Sequence, residues 1–346
     1  MRAAVFNEPG SVTVGERPDP SLVAATDALV RVVLACVCGS DLWYYRGESK
    51  MQAGNPIGHE FIGIVEDVGA DVATLSKGDL VIAPFAYSDG TCPHCQHGMQ
   101  TACVQGGYWA AGVDGGQGEA VRVPFADGTL VAVPGSGHSE QMLAAMLTLS
   151  DVMPTGHHAA VSAGVKQGDT VAVVGDGAVG LSGVIAAKRL GAERIIALSR
   201  NPARQKLALA FGATEIVAGR GEEAVASVLE LTAGVGADAT LECVGTGQAM
   251  ETAFAVARPG SIVGYVGVPH GVELPISSMF RKNKGIRGGV APARAYIPEL
   301  LKDVLEGWVQ PAEVFDLEVP LDGVSEAYAA MDERRAIKSL LRVATI

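Results

Sequence analysis

The chain has 346 residues, of which 48% are hydrophobic, and a formal net charge of −12 at pH 7. Its length predicts about two domains, its negative charge opposes binding to nucleic acid, and its apolar runs fall short of the roughly 20 residues that cross a bilayer. No secretory signal is visible at the N-terminus, so we expect a cytoplasmic protein.

Residues 1–151 have the composition of a β-rich domain. Short apolar runs at residues 29–35, 61–68 and 80–84 are separated by turn-forming residues. This spacing is typical of short strands joined by tight turns.

The following segment, residues 152–292, has a different pattern. Helical stretches alternate there with continuous apolar strands, which we predict at residues 171–174, 195–198, 239–243 and 262–266. Strands that alternate with helices form a parallel, doubly wound sheet, which is an α/β architecture.

The chain then ends in a mixed tail, residues 293–346, which we expect to pack back on the first domain. In this tail we predict elements at residues 297–308 (helix), 314–319 (strand), 324–334 (helix) and 339–343 (strand).

Three ligand-type side chains could form a catalytic zinc site. Cys38, His59 and Asp151 supply a thiol, an imidazole and a carboxyl group, and catalytic zinc sites use three protein ligands with a fourth position left for water or substrate. Each residue alone is more often structural, so the prediction depends on the set. The neighbouring acids Asp41 and Glu60 are expected to orient or tune these ligands.

Three of the six cysteines lie within residues 92–103, which suggests metal or redox chemistry rather than a disulfide framework. Cys92, Cys95 and Cys103 form C-x-x-C followed by a third thiol, which is typical of a structural zinc site. Asp89, three residues before Cys92, could supply the fourth ligand. A reducible thiol pair and an empty loop are the alternatives, and we predict structural zinc.

A glycine-rich turn joins the strand at residues 171–174 to a helical stretch. This G-x-G-x-x-G motif, between a buried strand and a helix N-terminus, favours dinucleotide binding over a turn without a ligand. The expected contacts at this turn are Gly175, Gly177, Ala178, Val179 and Gly180.

The next strand indicates which dinucleotide binds. NAD enzymes place a ribose-binding acid about 20 residues after the glycines, but Ser199 and Arg200 stand there, with Arg204 one turn further. A hydroxyl and a guanidinium can donate to a 2′-phosphate, so we predict NADP, with NAD left open. The alternative is that Arg200 merely lies on a solvated helix edge. Val244 and Val266 complete the predicted cofactor contacts.

With these residues in place, the whole chain resembles the zinc-containing medium-chain dehydrogenase/reductase family, the bacterial alcohol dehydrogenases in particular. The resemblance is carried by Cys38-Gly39-Ser40-Asp41, Gly58-His59-Glu60, Gly78-Asp79-Leu80-Val81, residues 151–156, the Gly175 turn and residues 336–338. It implies a GroES-like catalytic domain, residues 1–151 completed by 293–346, with a Rossmann domain, residues 152–292, inserted between.

The resemblance also implies roles for particular residues. Zinc would bind Cys38, His59 and Asp151, the Ser40 hydroxyl would relay a proton, and Thr155 would lie near the nicotinamide. The implied reaction is reversible hydride transfer between a small alcohol, ketone or aldehyde and NADP(H). We expect a homo-oligomer, a dimer or a tetramer.

Two departures from the family pattern affect these expectations. Asp89 stands where many members have the first structural-zinc cysteine, so the resemblance does not itself assign this ligand. Leu42, Trp43 and Tyr44 occupy the stretch where many members carry a proton-passing histidine, so the proton exit route stays open.

The substrate is the least determined part of the prediction. Trp43 and Trp109 are candidates for an apolar substrate pocket, although aromatic residues are more often plain core. A polyol or sugar dehydrogenase of the same family is the main alternative. A catalytically idle nucleotide-sensing protein is the alternative from another class, because a fold does not guarantee activity.

Overall fold

The computed structural model describes residues 1–345, which divide into two compact units. Unit 1 contains Met1–Asp151 and the described tail from Pro292 onward, and unit 2 contains Val152–Ala291. Within residues 1–345, no helix has the length and apolar character that crossing a membrane requires.

The N-terminal part of unit 1 is built from short strands, as its composition predicts. The strands are β1 (Arg2–Glu8), β2 (Ser11–Glu16), β3 (Ala28–Cys36), β4 (Phe61–Val68), β5 (Leu80–Ala83), β6 (Ala86–Tyr87), β7 (Gly107–Tyr108), β8 (Ala120–Val123) and β9 (Val131–Ala132). The helices are α1 (Asp41–Tyr45), α2 (Pro93–Gln96), α3 (Ala126–Thr129) and α4 (Glu140–Thr148), with a 3-10 turn at Gln100–Ala102.

Unit 2 alternates helices with strands. Its helices are α5 (Val152–Ala163), α6 (Ala178–Arg189), α7 (Pro202–Phe211), α8 (Gly221–Leu231), α9 (Gly247–Val256) and α10 (Ile276–Lys282). Its strands are β10 (Thr170–Val174), β11 (Arg194–Leu198), β12 (Glu215–Val217), β13 (Ala237–Glu242), β14 (Ala257–Tyr265) and β15 (Gly285–Gly288). All six strands are parallel, in the order β12-β11-β10-β13-β14-β15. The predicted α/β class and doubly wound parallel sheet are therefore confirmed.

The tail returns to unit 1 and joins its main sheet. It contains α11 (Ala293–Leu305), β16 (Phe315–Pro320), α12 (Val324–Asp332) and β17 (Lys338–Arg342), with 3-10 turns at Ala312–Val314 and Leu321–Gly323. Strand β17 pairs antiparallel with β3, and the sheet runs β16-β17-β3-β4-β5-β9, with β8 also paired to β3. This pairing makes the last strand a neighbour of the strand that leads to Cys38.

The core of unit 1 is closed by aromatic side chains. Tyr328 on α12 is fully buried, and its ring lies 5.5 Å from that of Tyr45. Phe61 at the start of β4 packs edge to face against Trp109 at 5.2 Å. Burying such large side chains contributes several kcal/mol to stability, about 1.5 to 3 for each residue.

Candidate metal and cofactor sites

The pairing of β3 with β4 brings the first two predicted zinc ligands together. Ala35 at the end of β3 lies opposite Phe61 at the start of β4. Cys38 therefore follows one strand just where His59 precedes the other. In an antiparallel pair, the end of one strand lies beside the beginning of the next.

The third predicted ligand is placed by the residue before it. Ser150 follows α4, its hydroxyl donates to the Phe61 carbonyl at 3.2 Å, and its carbonyl accepts from the Phe85 amide at 2.9 Å. These bonds attach the end of α4 to the start of β4 and to the segment between β5 and β6. Asp151, the next residue, thereby reaches Cys38 and His59.

The distances within this cluster suit a tetrahedral metal site. Asp151 Oδ2 lies 3.5 Å from Cys38 Sγ and 3.3 Å from His59 Nε2, whereas the edges of a tetrahedral zinc site measure roughly 3.6 and 3.4 Å for these ligand pairs. A carboxylate oxygen of Glu60 joins them, with all four ligand atoms within 4.8 Å of one another. Glu60 Oε2 is buried and has no hydrogen-bond partner among the described residues. Both the donor set and the unsatisfied oxygen fit a divalent cation.

Asp41 orients the imidazole of His59. Its Oδ1 lies 3.2 Å from His59 Nδ1, and its Oδ2 accepts from the Cys38 amide at 3.0 Å. A proton held on Nδ1 leaves Nε2 as the electron-pair donor on the side of Asp151. Burial lowers the pKa of His59, but Asp41, Cys38 and Asp151 outweigh it and raise this pKa well above its ordinary value. The same anionic surroundings favour a bound metal cation.

Sequence reasoning did not identify two buried polar residues that hold Asp41. Gln117 Nε2 donates to the Cys36 carbonyl at 3.0 Å and lies 3.4 Å from Asp41 Oδ2. The Tyr328 hydroxyl donates to Gln117 Oε1 at 3.0 Å. Both residues are fully buried. Nothing in the local pattern marks them, because their partners are distant in sequence and meet only in the folded unit.

Lys338, the last residue of the motif at residues 336–338, is a direct partner of Glu60. Its ammonium group lies 2.6 Å from Glu60 Oε1 and 3.1 Å from the Val37 carbonyl. Both side chains are at most 1% exposed. A lysine at the head of an apolar strand is a recognisable signal, since a buried ammonium group requires an anionic partner.

The second cluster contains all four predicted residues, Asp89, Cys92, Cys95 and Cys103. Their ligand atoms lie within 4.8 Å of one another. Cys92 Sγ is 3.5 Å from Cys95 Sγ and 3.9 Å from Cys103 Sγ, close to the roughly 3.8 Å edge of a tetrahedral zinc–thiolate site. Cys92 directly precedes α2 and Cys103 directly follows the 3-10 turn, so the ends of two short helical turns present these thiols.

The carboxylate of Asp89 is ionised, and one of its oxygens accepts hydrogen bonds from backbone amides. Its Oδ1 accepts from the amides of Thr91 and Cys92 at 2.8 and 2.9 Å. Although burial raises its pKa, these hydrogen bonds and those from the cysteines outweigh burial and lower the pKa to about 2. Asp89 thus offers an anionic oxygen beside three sulfur atoms, which fits a zinc ligand set.

In unit 2, the glycine motif forms the turn between β10 and α6. Gly175 has φ +125°, a backbone conformation that side chains disfavour. A Cβ on Gly180 would lie 2.0 Å from the Gly175 carbonyl oxygen. Helix α6 begins at Ala178, and no side chain caps its N-terminus. The turn therefore presents helix amides in the manner of an anion site.

The residues predicted to select the cofactor lie around an acid of the same turn. Ser199 follows β11, and its hydroxyl donates to Asp176 Oδ2 at 2.9 Å. Arg204 is buried, and its guanidinium lies 3.2 Å from the Asp176 carbonyl and 3.4 Å from Asp176 Oδ1. Arg200 is exposed. Asp176 thus contacts both Ser199 and Arg204. The sequence pattern did not indicate these contacts of Asp176.

The remaining predicted cofactor residues lie in unit 2. Val244 follows β13, is 41% exposed, and would contact a Cβ at Gly175. Val266 follows β14, and its amide donates to the Glu242 carbonyl at 2.9 Å. Thr155 is a buried residue of α5.

The two predicted pocket aromatics differ in their surroundings. Trp109 is 4% exposed, and its indole N–H donates to the Pro84 carbonyl at 2.7 Å. It is therefore part of the unit 1 core, as aromatic residues usually are. Trp43 is partly exposed on α1, which begins directly after Ser40.

Comparison with known proteins gives concordant results. Residues 24–135 match the alcohol dehydrogenase GroES-like domain family, and residues 178–306 match the zinc-binding dehydrogenase family. A zinc-type alcohol dehydrogenase B from Aspergillus flavus is 34% identical over 99% of this chain and 81% of its own. An alcohol dehydrogenase from Cupriavidus necator is 34% identical over 80% of each chain.

Solved structures agree with the sequence comparisons. An alcohol dehydrogenase from Thermus sp. ATN1 has a TM-score of 0.91 and 35% sequence identity, and the match covers 99% of this chain and 100% of that one. The alcohol dehydrogenase from Aeropyrum pernix has a TM-score of 0.88 and 25% identity, over 99% and 100% of the two chains. The chain belongs to the zinc-dependent medium-chain dehydrogenase family.

Proposed function

We propose that the protein is a zinc-dependent alcohol dehydrogenase or carbonyl reductase that uses NADP(H) and acts on a small alcohol, ketone or aldehyde. The observation that carries this proposal is the cluster of Cys38, His59 and Asp151 at tetrahedral spacing, with Asp41 behind the imidazole. Catalytic zinc sites combine three such ligands with an oriented histidine.

The chain's own residues divide the work at this site. When bound, zinc would act as a Lewis acid that lowers the pKa of the substrate alcohol. Asp41 holds a proton on His59 Nδ1 and so leaves Nε2 as the electron-pair donor that would hold the metal. Lys338 neutralises Glu60 inside the same buried cluster. We assign the proton relay to the hydroxyl of Ser40 and a wall of the substrate pocket to Trp43.

A panel of alcohols, ketones and sugars tests this function. With the zinc-loaded protein and added NADP or NADPH, small alcohols or carbonyl compounds should change the absorbance of the reduced nicotinamide. This turnover should stop when a chelator removes the metal. Turnover of polyols or sugars alone would show that the protein is a polyol or sugar dehydrogenase instead. A zinc-loaded protein that turns over none of them would overturn the proposed activity.

NADP is the proposed cofactor, bound at the turn between β10 and α6. The end of β11 carries Ser199 and the exposed Arg200 in place of the usual ribose-binding acid. An exposed guanidinium is able to approach a 2′-phosphate, which carries close to two negative charges. Thr155, Val244 and Val266 are assigned to contacts with the rest of the dinucleotide. A reducing compartment such as the cytoplasm suits the six free cysteines.

A homo-oligomer, dimer or tetramer, is also proposed. Strand β15 is an edge of the unit 2 sheet, and edge strands offer unpaired backbone groups to another chain. The adjoining helix α10 exposes Ile276 (62%) and Phe280 (84%), an apolar surface that a second copy would cover. Light scattering should give a mass of two or four chains, and the mass of a single chain would contradict the proposal.

The cluster of Asp89, Cys92, Cys95 and Cys103 is proposed to hold a structural zinc. We predict that Cys103→Ala lowers the zinc content from about two to about one per chain and the melting temperature by roughly 5 °C or more. At low temperature the kcat of the variant should stay near the wild-type value, because this cluster shares no residue with the cluster of Cys38, His59 and Asp151. Metal analysis and thermal unfolding check the prediction. An active wild type with one zinc per chain, or an unchanged melting temperature in the variant, would contradict it.

A further inference from the structure

We propose that Asp176 determines how strongly the protein prefers a 2′-phosphorylated cofactor, by opposing the phosphate at the end of β11. This inference rests on the proposed cofactor site. Asp176 is the second residue of the glycine motif, and its carboxylate reaches across to Ser199 at 2.9 Å. A negative charge therefore lies in hydrogen-bond contact with the hydroxyl assigned to the phosphate.

The hydroxyl of Ser199 cannot serve both acceptors at once. A serine hydroxyl has one proton to donate, and here it is directed to Asp176 Oδ2. A 2′-phosphate that accepts from Ser199 has to displace this hydrogen bond. Its oxygens would then lie close to the Asp176 carboxylate, and two anions at such short range repel each other.

Arg204 does not offset this repulsion, because its charge is already matched. Its side chain is 8% exposed and pairs with Asp176 through both the backbone carbonyl and Oδ1. Asn201 caps α7 and accepts from the amides of Ala203 and Arg204 at 2.9 and 3.3 Å, so these amides are engaged as well. Arg200, by contrast, is exposed and able to approach the phosphate.

Asp176 also supplies what the end of β11 lacks for NAD. Enzymes that bind NAD place a carboxylate at the end of this strand to accept the ribose 2′-hydroxyl. Asp176 brings a carboxylate to the same place from the preceding turn. Loss of its charge would remove a repulsive contact with NADP and an attractive contact with NAD, so both effects shift selectivity in one direction.

The test is calorimetric binding of 2′,5′-ADP and 5′-AMP to the full-length protein and its Asp176→Asn variant. These probes differ by the 2′-phosphate alone and require no turnover. We expect the variant to bind 2′,5′-ADP about tenfold more tightly and 5′-AMP no more tightly than wild type, since one net charge of repulsion is removed. NADP and NAD should follow the same order.

Asp238→Asn is the matched control. Asp238 is also paired with an arginine in unit 2, Arg258 at 2.7 Å, but it lies near the start of β13 rather than at the carboxyl ends of the strands. The Asp238→Asn substitution removes the same charge and should leave the ratio of the two affinities unchanged. If Asp176 only holds the turn together, its replacement should weaken the binding of both probes in parallel. Parallel weakening, or an unchanged ratio of the two affinities in Asp176→Asn, would overturn the proposal.

The outcomes for Asp176 and for the proposed cofactor are separable. If wild type binds NAD more tightly than NADP, the proposed NADP preference fails, while Asp176→Asn must still shift the ratio towards 2′,5′-ADP. If wild type binds neither probe nor either dinucleotide, both the cofactor site and the role of Asp176 are overturned.

Discussion

Cys38→Ala is expected to abolish measurable turnover while the protein remains folded. Loss of a residue that merely orients a ligand typically costs 10- to 100-fold in activity or metal affinity, so loss of a ligand itself should cost more than about 100-fold in kcat/KM. The side chain is small, and although it is buried, its sulfur lies against the Asp151 carboxylate at 3.5 Å, so its loss removes a polar contact and little apolar packing. Steady-state kinetics, metal analysis and thermal unfolding measure the three expected results: no activity, one zinc fewer and a folded protein.

Cys103→Ala provides the comparison, because it makes the same substitution in the other cluster. The two variants should show opposite patterns, with loss of activity for Cys38 and loss of stability for Cys103. A Cys38→Ala protein with wild-type rate and wild-type zinc content would show that Cys38 is an ordinary buried thiol. The proposed chemistry would then lack its metal.

Arg200→Ala is expected to weaken NADP selectively. A hydrogen bond to a charged group contributes about 1.5 to 3 kcal/mol, so kcat/KM for NADP should fall roughly tenfold to a hundredfold. The value for NAD should change little, since NAD has no 2′-phosphate for this guanidinium to contact. Steady-state kinetics with both cofactors measures the effect.

Lys166→Ala serves as the control for Arg200→Ala. Lys166 is an exposed cation that precedes β10, at the opposite end of the strand from the glycine turn. It changes the net charge equally and should not alter cofactor preference. Unchanged kcat/KM values for both NADP and NAD in Arg200→Ala would mean that Arg200 is a solvated residue at the edge of a helix, and equal losses with both would contradict a contact with the 2′-phosphate.

Much of the fold could be predicted because its strands carry their pattern in the sequence. The buried runs of β10 and β11 are continuous and apolar, as parallel strands covered on both faces must be. The edge strands β12 and β15 were missed, since three or four residues with a charge or two glycines give no such pattern. The helix predicted at residues 297–308 begins earlier, at Ala293, and ends at Leu305 before Gly307, whose φ is +78°.

The two clusters of ligand-type side chains could be predicted because thiols, imidazoles and carboxyl groups reveal their chemistry by residue type. The residues that support them could not. Gln117 meets Asp41 from a distant part of the chain, and Tyr328 meets Gln117 only when the tail joins unit 1. Asp176 likewise meets Ser199 only when β10 and β11 lie side by side. Contacts of this kind depend on tertiary register, which no local spacing records.

The catalytic zinc site is tested by a crystallographic anomalous-difference measurement at the zinc absorption edge on enzymatically active protein. We expect a zinc peak bounded by Cys38 Sγ, His59 Nε2 and the Asp151 carboxylate, about 2.0 to 2.3 Å from each. Active protein without a metal peak at these three residues would contradict it.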